Sequence, residues 1–268
     1  MTDIVHNWAV GLGGIAFIAV IFGWNYWFRG AISKWLVSIL PLQRTMPLRR
    51  VDLLVRVPLY GVPGLIGYIL LSILDPSLVI PFHFTLYALL NGVVLGIGVL
   101  AAGQTLSWVV YTQTTLWRRN RFTSASDEMI AFTETGWLRG YNILRHTFPF
   151  VGYPLIAISV VGEEAMFRAL IFSLLAKGFN PTIGLILSTL AFVGIQRMNL
   201  PNWSLALIPM SAACVMGIIH SYIALTTMNM VPLFVSHYIF FIAAVLLSST
   251  SKENKSKEPV SSWYQQNG

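Results

Sequence analysis

Long apolar stretches alternate with short polar segments along the whole chain. Seven of these stretches are candidates for membrane-spanning helices, at about 8–28, 53–74, 84–111, 148–176, 183–196, 203–226 and 231–247. A helix that crosses ~30 Å of hydrocarbon at about 1.5 Å per residue needs about 20 mostly apolar residues, and the fifth stretch is the shortest. The pattern predicts an all-α, multi-pass transmembrane helical bundle of about seven spans, with eight as the alternative.

Basic residues fall in alternate loops between these stretches. Arg and Lys follow spans one, three and five and recur in the carboxy-terminal tail, whereas the other loops carry few, with Lys177 as the exception. Since cytoplasmic loops of membrane proteins are enriched in Lys and Arg, we expect the amino terminus outside and the carboxyl terminus in the cytoplasm. An eighth crossing would break this alternation. The expected location is a bacterial plasma membrane or an equivalent internal membrane.

The polar segments divide the chain into three parts. Residues 1–147 contain the amino-terminal membrane helices and a polar segment, 112–147, which either lies along the cytoplasmic surface or is a solvated loop. Residues 148–248 form the predicted membrane core. Residues 249–268 are rich in Ser, Lys, Glu, Asn and Gln, a composition typical of a disordered tail.

Composition supports this reading and excludes other classes. Hydrophobic residues make up 56% of the chain and charged residues only 10%, which is too apolar for a soluble enzyme, a disordered protein or a coiled coil. The single cysteine, Cys214, excludes a disulfide framework and a cysteine-based metal site. The net charge of +7 is explained by cytoplasmic loops, so the lipid bilayer rather than nucleic acid is the expected partner.

The interiors of the last four predicted spans contain three formal charges, all within six residues. They are Glu163, Glu164 and Arg168. Each costs on the order of 2.5–3.5 kcal/mol at a helix centre, so an intramembrane charge is a functional hypothesis by default. Glu164 and Arg168 are spaced i, i+4, which places them on one helix face as an ion pair.

Glu163 points about 100° away from Glu164 and has no basic partner four residues later. A pure ion pair that locks the helix explains Glu164 and Arg168 but not Glu163. We therefore expect Glu163 to accept a proton from water, with a partner from another helix. Candidate partners are Gln196 on span five and His237 on span seven. His220 on span six is a further candidate, although a lone helical histidine is often only a hydrogen-bonded packing residue.

These residues resemble the CAAX-protease and bacteriocin-processing (CPBP, or abortive-infection) family of intramembrane peptidases. That family has Glu-Glu-x-x-x-Arg on one helix, Phe-x-x-x-His on the next and His-x-x-x-Asn on the last. Glu163, Glu164 and Arg168 match the first motif in full. The second motif matches at Phe192 but has Gln196 in place of histidine, and the third matches at His237 but has Phe241 in place of asparagine.

The resemblance implies a CAAX-protease-like core with a water-filled cavity that opens to the cytoplasm. It implies that Glu163 is the general base, that Glu164 and Arg168 form a structural or substrate-orienting pair, and that His237 is an electrophilic donor. It also implies a membrane-associated peptide or prenylated tail as substrate. A divalent metal such as zinc stays open as a cofactor, because a metal role has been attributed to some of these positions in the family.

The two departures leave the activity open. Gln196 can donate a hydrogen bond but cannot relay a proton as an imidazole does, and Phe241 can do neither. The chain is therefore either a peptidase with an altered site or a catalytically inactive homologue that acts as an accessory, scaffold or regulatory subunit of a membrane protein complex. A proton- or ion-coupled transporter is a third alternative.

Overall fold

The parts of the chain that the structure describes are helical, with short connecting turns. The computed structural model describes residues 2–41, 48–117, 141, 142, 144, 149–198, 200 and 203–256. Over these ranges helices follow one another without an intervening strand. The predicted all-α class is confirmed.

Two of the long helices pass through π-helical stretches. In chain order the elements are α1 (Thr2–Gly23), a π-helical turn (Trp24–Phe28), α2 (Arg29–Ile39), α3 (Leu48–Leu74), a 3₁₀ turn (Pro76–Leu78), α4 (Leu86–Trp117), α5 (Pro149–Glu164), a π-helical segment (Ala165–Phe172), α6 (Ser173–Gly178), α7 (Pro181–Met198), α8 (Trp203–Thr227) and α9 (Val231–Ser256). Helices α1 and α2 form one continuous helix, as do α5 and α6.

Five helices within the described ranges are long and apolar enough to cross a membrane. They are His6–Ile39, Leu54–Leu74, Leu86–Thr114, Pro181–Met198 and Ala206–Thr227, and they coincide with the first, second, third, fifth and sixth predicted spans. The fourth predicted span is helical but holds the three formal charges, and the seventh corresponds to Val231–Leu246, the shorter apolar part of α9. The chain is thus an integral membrane protein with a multi-pass helical bundle.

Two interhelical loops meet at one end of the bundle. The Met230 N–H donates to the Pro81 carbonyl at 2.9 Å, and His83 and Asn229 exchange two hydrogen bonds of 3.0 and 2.9 Å. Met228 has a φ of 47°, in the left-handed region, where the chain turns between α8 and α9. Helices α3 and α8 therefore end, and α4 and α9 begin, on the same side of the bundle, in agreement with the alternation of loop charges.

Helices α3 and α5 touch through their backbones beside the charged residues. A Cβ added to Gly162 would lie against the Gly61 backbone, and one added to Gly64 would lie against the Gly162 carbonyl oxygen, in both cases closer than non-bonded atoms can approach. Small residues at such an interface let helices approach until their backbones are in contact. Because Gly162 directly precedes Glu163, this contact fixes the depth and rotation of the charged segment.

The structure extends α9 beyond the predicted start of the disordered tail. The helix runs to Ser256, whereas the composition placed the boundary after residue 248; residues 257–268 lie outside the described residues. Lys and Glu are good helix formers, so a helix already nucleated in the apolar part can continue through Lys252 and Glu253. Most of the predicted polar segment 112–147 also lies outside the described residues, but Tyr141 and Leu144 are buried in the protein.

We expect Gly162→Ala to destabilise the fold. The added methyl group must separate α3 from α5, and overpacking of this kind typically costs about 1–3 kcal/mol. The measurement is thermal unfolding of purified protein in nanodiscs. Gly98→Ala is the matched control, because a Cβ at that helical position meets no atom within 4 Å and should leave the melting temperature unchanged or slightly raised. Equal melting of the two variants would contradict the backbone contact.

Candidate active site within the helix bundle

The three charged residues lie where α5 changes into the π-helical segment. Glu163 and Glu164 are the last residues of α5, and Arg168 lies inside the segment Ala165–Phe172. All three are buried, with 2%, 0% and 1% of their surface exposed. Short π-helical insertions occur frequently at functional sites, because they change the direction of side chains within an otherwise regular helix. The predicted i, i+4 pair is present, with 3.4 Å between Arg168 Nη1 and Glu164 Oε1.

One oxygen atom of Glu164 contacts side chains from its own helix and from two other helices. Glu164 Oε1 lies 2.6 Å from His237 Nδ1 on α9 and 3.2 Å from His220 Nδ1 on α8, in addition to its contact with Arg168. Both histidines are buried as completely as the glutamate. A single carboxylate oxygen therefore links α5, α8 and α9, which are far apart in the sequence.

His237 connects the two glutamates. Its Nδ1 contacts Glu164, and its Nε2 lies 3.4 Å from Glu163 Oε2, an ion-pair distance rather than a short hydrogen bond. The expected partner for Glu163 from another helix is thus present. Tyr60 on α3 also interacts with the Glu163 carboxylate, although its hydroxyl makes no hydrogen bond of regular geometry within the described residues.

Aromatic rings cover the Arg168 guanidinium. Its Cζ lies 4.3 Å from the centre of the Phe192 ring on α7 and 5.9 Å from that of Phe167. Its Nη atoms make no hydrogen bond of regular geometry among the described residues. A desolvated cation over an aromatic face gains on the order of 2 kcal/mol. Phe192, the matching position of the second motif, therefore supports the charge that balances Glu164.

The two positions that depart from the family motifs, Gln196 and Phe241, have different surroundings from each other. Gln196 is buried near the end of α7, but it makes none of the hydrogen bonds or ion pairs that join Glu163, Glu164, Arg168 and the histidines within the described residues. Phe241 packs against the imidazole of His237, with 4.9 Å between ring centres and 31° between ring planes. Tyr141 packs edge-on against Phe241 at 5.3 Å. Apolar packing thus occupies the side of His237 where the motif would place a polar residue.

Sequence reasoning did not place two further residues in the cluster. Tyr60 lies on a helix outside the motifs, and nothing in its sequence context indicates the contact with Glu163. Ser236 directly precedes His237, and its Oγ lies 3.0 Å from His220 Nε2. The signal for His220 was present in the sequence, as a histidine inside a span adjacent to the motif helices, but only the fold shows that its ring faces Glu164.

The arrangement does not match a metal centre. The part of the chain that the structure describes contains no group of three or more His, Cys, Asp or Glu side chains arranged to hold a metal ion. Both imidazoles direct Nδ1 at one carboxylate oxygen that also contacts a guanidinium, and a cation so close disfavours a second one.

We expect Arg168→Gln to be strongly destabilising, because it leaves Glu164 as a buried carboxylate without its guanidinium. Breaking one partner of a buried ion pair typically costs about 3–5 kcal/mol. The double variant Glu164→Gln/Arg168→Gln removes both charges and should recover a substantial part of this loss. Thermal unfolding of the native protein, Arg168→Gln, Glu164→Gln and the double variant measures the effect. A double variant whose destabilisation equals the sum of the two single variants would contradict the pairing.

The part of the chain that contains this site matches a known protein family. Residues 145–243, which contain the two glutamates, Arg168, His220 and His237, match the family model described as type II CAAX prenyl endopeptidase Rce1-like. No curated protein and no solved structure gave a match. The match covers all three motifs and agrees with the family that the motifs indicated. The segment 145–243 of this integral membrane protein is accordingly similar to the CAAX-protease-like family.

Proposed function

We propose that the chain is an intramembrane peptidase that hydrolyses a membrane-associated or prenylated peptide with a water molecule activated by Glu163. The observation that carries the proposal is the contact of one imidazole with both buried carboxylates, 2.6 Å to Glu164 and 3.4 Å to Glu163. The match of residues 145–243 to a prenyl endopeptidase family supports the substrate class.

Charge balance supports a mobile proton between Glu163 and His237. Two carboxylates and one guanidinium leave a single negative charge in a cluster that is almost fully buried. Since an uncompensated charge is costly inside a membrane bundle, one additional proton makes the cluster neutral. When this proton is on His237, the imidazolium donates through Nδ1 to Glu164 and through Nε2 toward Glu163, and Glu163 remains a carboxylate that can act as a base.

The proposed reaction uses these two groups in turn. Glu163 accepts a proton from water while the water oxygen forms a bond to the carbonyl carbon of the peptide. The His237 Nε2–H stabilises the negative charge that develops on the carbonyl oxygen. The carbon–nitrogen bond then breaks, and the proton held by Glu163 passes to the departing amine nitrogen. Glu164 keeps His237 oriented and charged throughout, and Arg168 keeps Glu164 ionised.

The substitutions at the other motif positions predict a slow enzyme. Gln196 supplies no imidazole to assist Glu163, and Phe241 supplies no donor for the oxyanion. General acid–base assistance is typically worth 10²–10⁴-fold and one oxyanion donor about 10²–10³-fold. We therefore propose that His237 carries most of the electrophilic stabilisation that two residues share in the family motif.

One observation favours a second function, that of a catalytically inactive subunit of a membrane protein complex. The side chains of Glu163, Glu164 and His237 are only 3%, 0% and 2% exposed, so water and substrate need a movement of the helices to reach them. Charged clusters closed in this way also serve to hold helices in register. In that case the partner is another membrane subunit rather than a peptide substrate.

The proposed topology has the amino terminus outside and the carboxyl terminus in the cytoplasm. The alternation of basic loops supports this orientation, and the contacts between the α3–α4 and α8–α9 loops support an even number of crossings between these two loops. The proposed location is a bacterial plasma membrane or an equivalent internal membrane, with peptide cleavage near the cytoplasmic face.

We expect Glu163→Gln to abolish cleavage, because an amide cannot accept the proton of water. The assay is cleavage of candidate prenylated and unprenylated peptides by purified protein in nanodiscs, followed by mass spectrometry. The matched control is Asp75→Asn, which removes a carboxylate in the loop after α3 that accepts hydrogen bonds from Ser77. It should keep full activity.

Gln196→His separates the two functions in the same assay. A peptidase with a weakened site should become faster, because the variant restores an imidazole at the motif position. Cleavage that appears only in Gln196→His would indicate a disabled site on an intact scaffold. An absence of turnover in every variant, with stable co-purification of other membrane subunits, would favour the accessory function and contradict the peptidase.

A further inference from the structure

Two buried residues of the cluster have no part in the proposed reaction. His220 on α8 and Ser236 on α9 are both 0% exposed. His220 places Nδ1 3.2 Å from Glu164 Oε1 and Nε2 3.0 Å from Ser236 Oγ. The imidazole therefore has a polar partner on each nitrogen, and these partners come from two other helices.

The partners determine which nitrogen of His220 carries the proton. An ionised carboxylate only accepts hydrogen bonds, so the nitrogen that faces Glu164 must be a donor, Nδ1–H. In a neutral imidazole the other nitrogen is then an acceptor, and a serine hydroxyl can donate to it. This assigns the Nδ1–H form to His220, with Ser236 O–H donating to Nε2.

The charges around His220 favour the neutral form. Its ring faces Glu164 and, 6.1 Å away centre to centre, the ring of His237; Arg168 contacts the same carboxylate oxygen. With a proton on the Glu163–His237 pair the cluster is already neutral. A second proton on His220 would leave one uncompensated positive charge among fully buried groups, which is costly inside a membrane bundle.

We propose that Ser236 and His220 are positioning residues that hold Glu164 in the orientation in which it receives the Nδ1–H of His237. Ser236 locks the His220 ring, His220 donates to Glu164, and Glu164 keeps the second His237 proton on Nε2, facing Glu163. Neither residue touches the substrate. The catalytic consequence rests on the proposed peptidase function, whereas the protonation state of His220 does not.

The protonation state is tested by NMR of the full chain labelled with ¹⁵N-histidine in nanodiscs. His220 should show a protonated Nδ1 and an unprotonated Nε2, and its signals are identified by their loss in His220→Asn. In Ser236→Ala the lock is removed, so the resonances should shift or broaden. An Nε2–H form, an imidazolium, or spectra identical in the native chain and Ser236→Ala would overturn the proposal, whatever the activity.

The catalytic consequence is tested with three variants of the pair. His220→Leu should lower kcat by about 10–100-fold with little change in KM, the size expected for the loss of one hydrogen bond to a charged group. His220→Asn keeps an N–H donor near the position of Nδ1, so its kcat should be much closer to the native value. Leu fills the same space but has no donor, so a role in packing alone would not separate the two variants in this way. Ser236→Ala should lower kcat in the same way and to a smaller degree.

Ser221→Ala is the matched control, because Ser221 adjoins His220 in sequence and is equally buried, but its hydroxyl pairs with Ser188 at 3.3 Å. It should keep the native kcat. Full kcat in His220→Leu and Ser236→Ala, while Glu163→Gln is inactive, would overturn the positioning role and leave the peptidase function intact. If the native chain cleaves no peptide, the peptidase proposal fails, and the NMR result alone decides the state of His220.

Discussion

The contacts of one carboxylate oxygen, Glu164 Oε1, organise the interior of this protein. It accepts from an imidazole on α9, lies within hydrogen-bond distance of another on α8 and contacts a guanidinium on its own helix. A buried carboxylate is tolerated in a membrane bundle only when such donors surround it. The need to satisfy it therefore determines how α8 and α9 are placed against α5, and α9 brings His237 to Glu163.

The two adjacent glutamates have different surroundings for a simple geometric reason. Glu164 and Arg168 share a helix face, so Glu164 has a permanent counter-charge, while Glu163 points to another side and meets His237 and Tyr60. One carboxylate is thus a fixed anion, and the other shares a mobile proton in the proposed mechanism. The backbone contact between Gly162 and α3 holds this difference in place, because it prevents rotation of the segment.

The change at position 241 alters the surroundings of the His237 ring, while the histidine itself is retained. A polar residue at position 241 could share the stabilisation of an oxyanion, whereas Phe241 offers only an aromatic face to the imidazole, reinforced by Tyr141. The ring is consequently positioned by apolar packing on one side and by Glu164 on the other. Among the described residues, Gln196, buried on α7, makes none of the hydrogen bonds or ion pairs of this network.

The sequence alone determined the helical membrane class, the positions of the long apolar helices and the pair of Glu164 with Arg168, because hydropathy and helical spacing are local properties. Only the tertiary structure decided which side chains complete the site. His220, Ser236 and Tyr60 come from other helices, and their contacts depend on how those helices rotate and how deeply they sit. That information lies in close packing, such as the contact of Gly162 with Gly61, and no local pattern of hydrophobic and polar residues encodes it.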